Sequence, residues 1–290
     1  MAIRQSDFVR LFKTTMMLMR VWVIALIAGL YSLLAVLKEH TPYEHFADIP
    51  SDIFSILGLV LSLILVFRTT RAYDRWWEAR ILWGKQVNIS RNLAIKFQVF
   101  AGSDESERGR CQRWITGFAY ALKEHLREGV VLREVPGWSE SSDDPKHVPA
   151  WFSQQMYQQV KSWEREGRIT PQELLAIDTD LHEFLNVCGG CERIRKTLIA
   201  GSYRSYAIKC LFLYLLMLPW GLVEDLQWLT VPLTVILTYV MFGLESIADA
   251  VEEPFGYDLD DLDLERLCQT IDRTTAEILS VPAISQADSP

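Results

Sequence analysis

The chain has 290 residues, a formal net charge of −8, a pI near 5.2, 50% hydrophobic residues and a mean hydropathy of +0.09. That hydropathy is high for a soluble protein and low for a bundle made only of membrane spans, so it predicts a membrane domain together with a substantial aqueous one. The acidic balance argues against nucleic acid as a partner, because binding phosphates requires a concentrated basic face.

Two apolar runs lie in the first quarter of the chain. The first, Val21–Leu37, follows a basic, amphipathic N-terminal stretch and has no small-residue cleavage site, which predicts a retained transmembrane helix. A polar loop with two prolines, Lys38–Asp52, leads to the second run, Ile53–Phe67. This run has only about 15 residues, short for a lipid-facing span and better suited to surroundings of protein or a cavity.

The long polar region that follows is predicted to be helical. No strong turn signal separates Ile53–Phe67 from the basic, tryptophan-containing stretch Arg68–Arg91, so one helix could continue from lipid into water. Thr170, followed by Pro171 and Glu173, predicts the start of a helix that we expect to end at Gly189-Gly190. Further helical periodicity occurs at Arg75–Val99, Glu107–Arg127 and Ala150–Gly167, and a surface loop is predicted at Gly137–Ala150.

Two more apolar runs, Ala207–Val223 and Leu229–Leu244, complete four predicted spans in two hairpins, giving an all-α fold with a helical cytosolic domain. Basic residues precede the first span, follow the second and begin the third, which predicts a multi-pass plasma-membrane protein (inner membrane if bacterial) with both termini in the cytoplasm. The predicted divisions are 1–67 (N-terminal amphipathic helix and first two spans), 68–205 (cytosolic helical domain), 206–250 (third and fourth spans) and 251–290 (cytosolic C-terminal segment).

Motifs for catalysis or a firm metal site were not found in the sequence. The five scattered cysteines form no disulfide framework and suit a reducing compartment. Cys188 and Cys191 form one C-x-x-C pair around two glycines, without a second pair at zinc-site spacing, and a helix end of small residues is the simpler interpretation. The five dispersed histidines are interpreted as ordinary surface residues. We therefore predict no enzyme, no cofactor and no confident metal site.

An acidic cluster near the C-terminus allows two interpretations. Asp258, Asp260 and Asp261, with Asp263, could hold a hard cation such as calcium, since converging carboxylates offset the cation's lost hydration. The cluster lacks the glycine and the terminal glutamate of the twelve-residue calcium loop. Composition favours a solvated helix start, and a weak cation site at Asp258, Asp260 and Asp261 stays an alternative.

The second span carries a regular apolar stripe. Leu59, Leu63 and Phe67 recur every four residues and therefore share one face of a helix. The stripe could line a pore, or it could face lipid or a helix bundle, as any such helix would. On the same helix, Ser55, Gly58 and Ser62 indicate a face that another helix could approach closely.

Two segments resemble the bestrophin family in its bacterial branch. FRTTRAYDRWWEARILWG, Phe67 to Gly84, carries adjacent Arg75-Trp76-Trp77 after an apolar helix, and EEPFGYDLDDLDL, Glu252 to Leu264, carries a Pro254-Phe255-Gly256 turn after the last span. The similarity in layout covers nearly the whole chain. The chain differs from the family in that Tyr257 and Leu259 interrupt the acidic run and the segment Leu198–Tyr203 lacks prolines.

The resemblance implies a homopentameric, four-span ion channel in a lipid bilayer. It implies that Leu59, Leu63 and Phe67 form an apolar pore neck, and that an apolar side chain before the Cys-Gly motif forms a second, cytosolic aperture. Ile177 is the expected aperture residue, with Leu174 or Leu181 as alternatives. Because Tyr257 and Leu259 interrupt the acidic run, calcium activation is not expected from the resemblance alone.

The charges near the predicted pore favour monovalent cations as the permeant ions. Neutral rings discriminate poorly, so fields at the entrances decide the sign of the ion. The family's animal members pass chloride, which keeps an anion-selective channel as the alternative, and a membrane-anchored scaffold or sensor is the rival from another class. The acidic side chains behind the cation expectation are Glu39, Glu44, Asp48, Asp52, Glu224 and Asp225 in the outer loops, and Asp178, Asp180 and Glu183 near Ile177.

Overall fold

The computed structural model describes residues 5–42, 50–100, 105–197 and 201–281, with side chains from Met19 onward apart from that of Ser51. These residues form α-helices and two short 3-10 helices and contain no strand, so the predicted all-α fold is confirmed. Glu44 and Asp48 of the predicted acidic loop, and residues 282–290, lie outside the described residues. The helices are α1 (Gln5–Glu39), α2 (Ser51–Phe100), α3 (Glu105–His125), α4 (Val148–Arg165), α5 (Pro171–Lys196), α6 (Gly201–Leu226), α7 (Thr230–Glu252) and α8 (Leu264–Leu279).

Within the described residues, three helical stretches are long and apolar enough to cross a membrane: Met19–Glu39, Asp52–Phe100 and Gly201–Glu252. The third contains both α6 and α7, which are separated by the 3-10 helix Gln227–Leu229 and pack against each other. As predicted, α2 continues for 50 residues through the apolar run and the tryptophan-containing segment.

The chain divides into two compact units, residues 1–76 with 198–261 and residues 77–197 with 262–290. In the first unit, α1 packs against α6 and α7. A core cluster joins α2 to α6, and Gly221 of α6 lies so close to the ring of Phe54 that a Cβ atom there would overlap it. Gly58 faces the Tyr214 hydroxyl, so one of the small residues predicted for a close helix approach lies at such a contact. The members of the cluster are Phe54, Leu61, Leu65, Leu211, Leu215 and Leu218.

In the second unit, α3 packs against α4 and α8, and α4 packs against α5. Aromatic side chains fill its core, including Phe118 and Phe184, whose rings meet edge to face with centroids 4.9 Å apart. The predicted helix start at Thr170 is confirmed by a capping box. Thr170 Oγ1 accepts a hydrogen bond from the Glu173 backbone N–H at 3.2 Å, and the Glu173 carboxylate accepts one from the Thr170 backbone N–H at 2.7 Å.

The predicted end of this helix at Gly189-Gly190 is wrong, because α5 continues to Lys196. Gly190 lies against Leu82 of α2, and an added Cβ atom would come within 2.9 Å of the Leu82 Cδ1 atom. The glycine therefore allows close packing of two helices rather than ending one. Cys188 and Cys191 accordingly lie inside the helix, both buried, and not at its end.

Candidate functional site

The two segments that resemble the bestrophins meet in the first unit. Arg75 Nε donates a hydrogen bond to the backbone carbonyl of Glu252 at 3.1 Å, and Trp76 Nε1 donates one to the carbonyl of Asp260 at 2.8 Å. The two bonds fix side chains of α2 to the last residue of α7 and to the segment that follows it. The sequence motifs therefore mark the two sides of one junction.

Arg68 is the buried centre of an ion cluster at this junction. Its side chain is 0% exposed and contacts three carboxylates of α7: Glu252 at 2.6 Å, Glu245 at 3.2 Å and Asp249 at 3.5 Å. Arg204 of α6 pairs with Asp249 at the more exposed edge of the cluster. A buried guanidinium needs such partners, because an uncompensated charge is very costly away from water. The sequence placed Arg68 only among the basic residues that flank a span.

The predicted neck residues lie on the exposed side of α2. The side chains of Leu59, Leu63 and Phe67 are 65%, 51% and 62% exposed in the single chain. With 3.6 residues per turn, Leu59 and Leu63 lie roughly opposite the buried Leu61 and Leu65. The stripe is therefore open to a neighbour outside this chain, whether lipid, another subunit or a pore.

The predicted aperture residue and its alternatives on α5 differ in how deeply their own unit buries them. Ile177 is 0% exposed in the core of the second unit, and the alternative Leu181 is also buried. Leu174 is partly exposed, while Leu175, which was not considered from the sequence, is 67% exposed. Among these four side chains, Leu175 is the one most open to the outside of its own chain.

The carboxylates near Ile177 have partners within the second unit. Asp180 forms an ion pair with Lys96 at 2.7 Å, and Glu183 forms one with Lys85. Lys85 lowers the pKa of the Glu183 carboxyl. Asp178 accepts a hydrogen bond from the Tyr157 hydroxyl at 2.7 Å. Cationic partners thus offset two of the three negative charges used in the cation prediction.

The acidic cluster after the Pro-Phe-Gly turn supports the backbone of that turn. The Asp261 carboxylate accepts a hydrogen bond from the Asp258 backbone N–H at 2.6 Å, and the carbonyl of Asp260 accepts the bond from Trp76. Gly256 lies against the same carboxylate, since an added Cβ atom would come within 2.7 Å of Asp261 Oδ2. The weak cation site at Asp258, Asp260 and Asp261 stays a prediction.

A cluster of two histidines, a cysteine and a glutamate in the second unit was not predicted from the sequence. His125, His147, Cys188 and Glu192 bring one potential metal-binding atom each to within 4.8 Å of one another, the single such group found in the described part of the chain. A hydrogen bond from Lys196, together with bonds from the two histidines, lowers the pKa of Glu192 to about 2. The four-residue spacing of Cys188 and Glu192 on one helix was the available signal. The two histidines lie 67 and 45 residues before Glu192, so spacing alone could not join them to it.

Comparison with known proteins gives a consistent family match. A sequence model of the bacterial and fungal bestrophin proteins matches residues 4–277. A relative from Synechocystis sp. is 30% identical over 270 residues, covering 89% of this chain and 86% of the relative. A relative from Nostoc sp. is 32% identical over 239 residues, covering 78% and 76%. Both relatives are named voltage-dependent anion channel-forming proteins.

Among solved structures, the chain is similar to a bacterial bestrophin homologue from Klebsiella pneumoniae. The TM-score is 0.82 at 24% sequence identity, and the match covers 90% of this chain and 99% of the other. At this identity the likeness establishes the fold.

Proposed function

Since this chain belongs to the bacterial and fungal bestrophin family, a family of ion channels and not of enzymes, we propose that it conducts monovalent ions across a lipid bilayer. The proposed arrangement has four spans, α1, the apolar part of α2, α6 and α7, in the plasma membrane, with both termini cytoplasmic. The exposed stripe Leu59, Leu63 and Phe67 is the observation that carries this proposal.

The stripe becomes a pore neck when several subunits surround one axis. In a homopentamer, each of the three positions would form an apolar ring. A ring too narrow and too apolar to hold continuous water is a barrier to ions, and widening it opens the pore. The buried face of α2, held by Leu61 and Leu65 against α6, would keep each subunit's stripe directed away from its own core.

We propose that Leu175, rather than Ile177, forms the cytosolic aperture. A side chain that lines a shared pore has to be open to the space outside its own chain. Leu175 meets this condition, whereas Ile177 is fully buried by its own unit. Leu174, an alternative from the sequence, is partly exposed and adjoins Leu175 on α5.

For selectivity, we propose anions over cations, which replaces the cation preference expected from the sequence. The names of the relatives describe anion channel-forming proteins. The charges around Ile177 give little support to the cation expectation, because Lys96 and Lys85 pair with Asp180 and Glu183. Paired charges produce a weaker field at a pore entrance than isolated carboxylates do.

The proposal is tested with the purified full chain in detergent and in liposomes. We expect a pentameric mass and ion flux that depends on the reconstituted protein. A monomer or dimer without flux would contradict the proposed channel function. It would favour the alternative function, a membrane-anchored scaffold or sensor.

The sign of the permeant ion is tested separately in planar bilayers with asymmetric NaCl. We expect the reversal potential to lie close to the equilibrium potential of chloride. It should move when gluconate replaces chloride. A reversal potential that follows sodium would overturn the anion proposal while leaving the channel proposal intact.

A further inference from the structure

Three segments of the second unit bring four different side chains to one point. His125 is the last residue of α3, His147 is the N-cap of α4, and Cys188 and Glu192 lie one turn apart on α5. Glu192 Oε1 is 2.8 Å from His125 Nε2, 2.9 Å from His147 Nε2 and 3.8 Å from Cys188 Sγ. The two imidazole rings have centroids 4.8 Å apart.

The four ligand types are those of a tetrahedral zinc site, and the spread of their atoms is close to the size of such a site. Zinc binds imidazole nitrogen and carboxylate oxygen at about 2.0–2.2 Å and thiolate sulfur at about 2.3 Å, which places neighbouring ligand atoms roughly 3.3–3.7 Å apart. The distances from Glu192 Oε1 to the other three atoms, 2.8, 2.9 and 3.8 Å, lie on both sides of that range. Closing the site around an ion therefore needs shifts of about 1 Å or less at each ligand atom.

The burial of the cluster also suits a metal. Cys188 is 2% exposed, whereas the side chains of His125, Glu192 and His147 are 23%, 20% and 42% exposed. The sulfur is thus protected while the imidazoles remain accessible to an ion from solvent. A thiolate with two imidazoles also favours zinc over hard cations such as calcium or magnesium.

In the metal-free protein, hydrogen bonds to Glu192 hold the cluster together, and the other three ligand atoms carry protons. The Cys188 thiol donates to Glu192 Oε1, and the two Nε2 atoms lie within hydrogen-bond distance of the same oxygen. His147 Nδ1 accepts a bond from the Ala150 backbone N–H at 3.1 Å, which leaves the proton of the neutral ring on Nε2. On metal binding, Cys188 releases its proton to solvent, and the Nε2 proton of each of the two histidines moves to Nδ1. At His147 this change removes the cap at the start of α4.

We propose that His125, His147, Cys188 and Glu192 bind one Zn²⁺ ion, which links the end of α3 and the start of α4 to α5. The site lies within the second unit and does not depend on the proposed channel activity. Lys196, which donates to Glu192 Oε2 at 2.7 Å, would orient the carboxylate for the metal.

The test titrates the purified, metal-stripped full chain with Co²⁺ and then displaces it with Zn²⁺. Co²⁺ in a tetrahedral site with a thiolate gives intense visible bands and a sulfur-to-cobalt charge-transfer band. We expect one Co²⁺ per chain, loss of the bands on adding one equivalent of Zn²⁺, and a higher Tm with Zn²⁺. Absence of the charge-transfer band in a chain that folds normally would overturn the proposal.

Matched variants separate the site from nonspecific binding. Cys188→Ser should remove the charge-transfer band and weaken binding by about 100-fold or more, whereas Cys191→Ser, also at a buried cysteine of α5, should retain both. His147→Asn removes a ligand but can still accept the Ala150 bond, so its affinity should fall without a loss of metal-free Tm. Equal spectra in the two cysteine variants, or unchanged affinity in His147→Asn, would contradict the assignment.

Discussion

The two faces of α2 differ in the partners they have within their own chain. Leu61, Leu65 and Arg68 are buried against α6 and α7, whereas Leu59 and Leu63 point away from that core. Burial in the single chain thus separates side chains that stabilise the subunit from side chains available to line a shared pore. The same criterion distinguishes Ile177 from Leu175 on α5 and is the reason for proposing Leu175 as the aperture residue.

The largest effect on stability is expected at the charged end of the buried face. Arg68→Met would leave Glu245 and Glu252, both largely buried, without their cationic partner. Removing one partner from a buried ion cluster typically costs about 3–5 kcal/mol. We expect a large loss of folded protein, measured by the free energy of unfolding in detergent or by the yield of assembled channel.

Arg204→Met provides the matched control for Arg68. Arg204 pairs with Asp249 in the same cluster, but both side chains are 45% exposed. Exposed ion pairs contribute about 0–1 kcal/mol, so this variant should stay close to wild type. Equal destabilisation by the two substitutions would contradict the view that burial sets the importance of the cluster's members.

The next largest effects on stability separate the two candidate aperture residues, Ile177 and Leu175. Ile177→Ala should lower the free energy of unfolding by about 2–5 kcal/mol, because it leaves a cavity in a packed core. Leu175→Ala should change it by about 0.5 kcal/mol or less, since the side chain is 67% exposed.

Single-channel recording then separates the roles of these two residues. We expect Leu175→Ala to change conductance or selectivity, and surviving Ile177→Ala channels to conduct as wild type does. The reverse result would restore Ile177 as the aperture and refute the use of burial to choose it.

Local patterns predicted the helices well, because their signals lie close together in the chain. The uninterrupted apolar and basic stretch predicted α2, and Thr170 with Glu173 predicted the start of α5. The predicted end of α5 at Gly189-Gly190 was wrong for a physical reason. A glycine can end a helix or allow a neighbouring helix to pack closely, and only the position of Leu82 decides between these two roles.

Features built from distant residues could not be predicted in the same way. Arg68 meets Glu245 and Glu252 across 177 and 184 residues, so its burial was invisible in a sequence that marks it only as basic. His125 and His147 looked like dispersed surface histidines because Cys188 and Glu192 join them only through the packing of three helices. The negative charges of Asp180 and Glu183 were visible in the sequence, but their pairing with distant lysines was not.

The smallest change in stability is expected at Leu63, where the functional change should be clearest. Leu63→Ala removes an exposed side chain, so the free energy of unfolding should change by about 0.5 kcal/mol or less. In a pore neck, the same change widens an apolar ring and eases its wetting, which should raise conductance several-fold in planar bilayers.

Leu65→Ala is the control for Leu63, because it makes the same substitution two residues away on the buried face. It should cost about 2–5 kcal/mol of stability through a cavity against α6, while the channels that assemble should conduct as wild type does. Wild-type currents in alanine variants at Leu59, Leu63 and Phe67 would remove the neck from α2. The exposed stripe would then be explained by contact with lipid, since lipid accounts for exposed leucines equally well but gives them no influence on conductance.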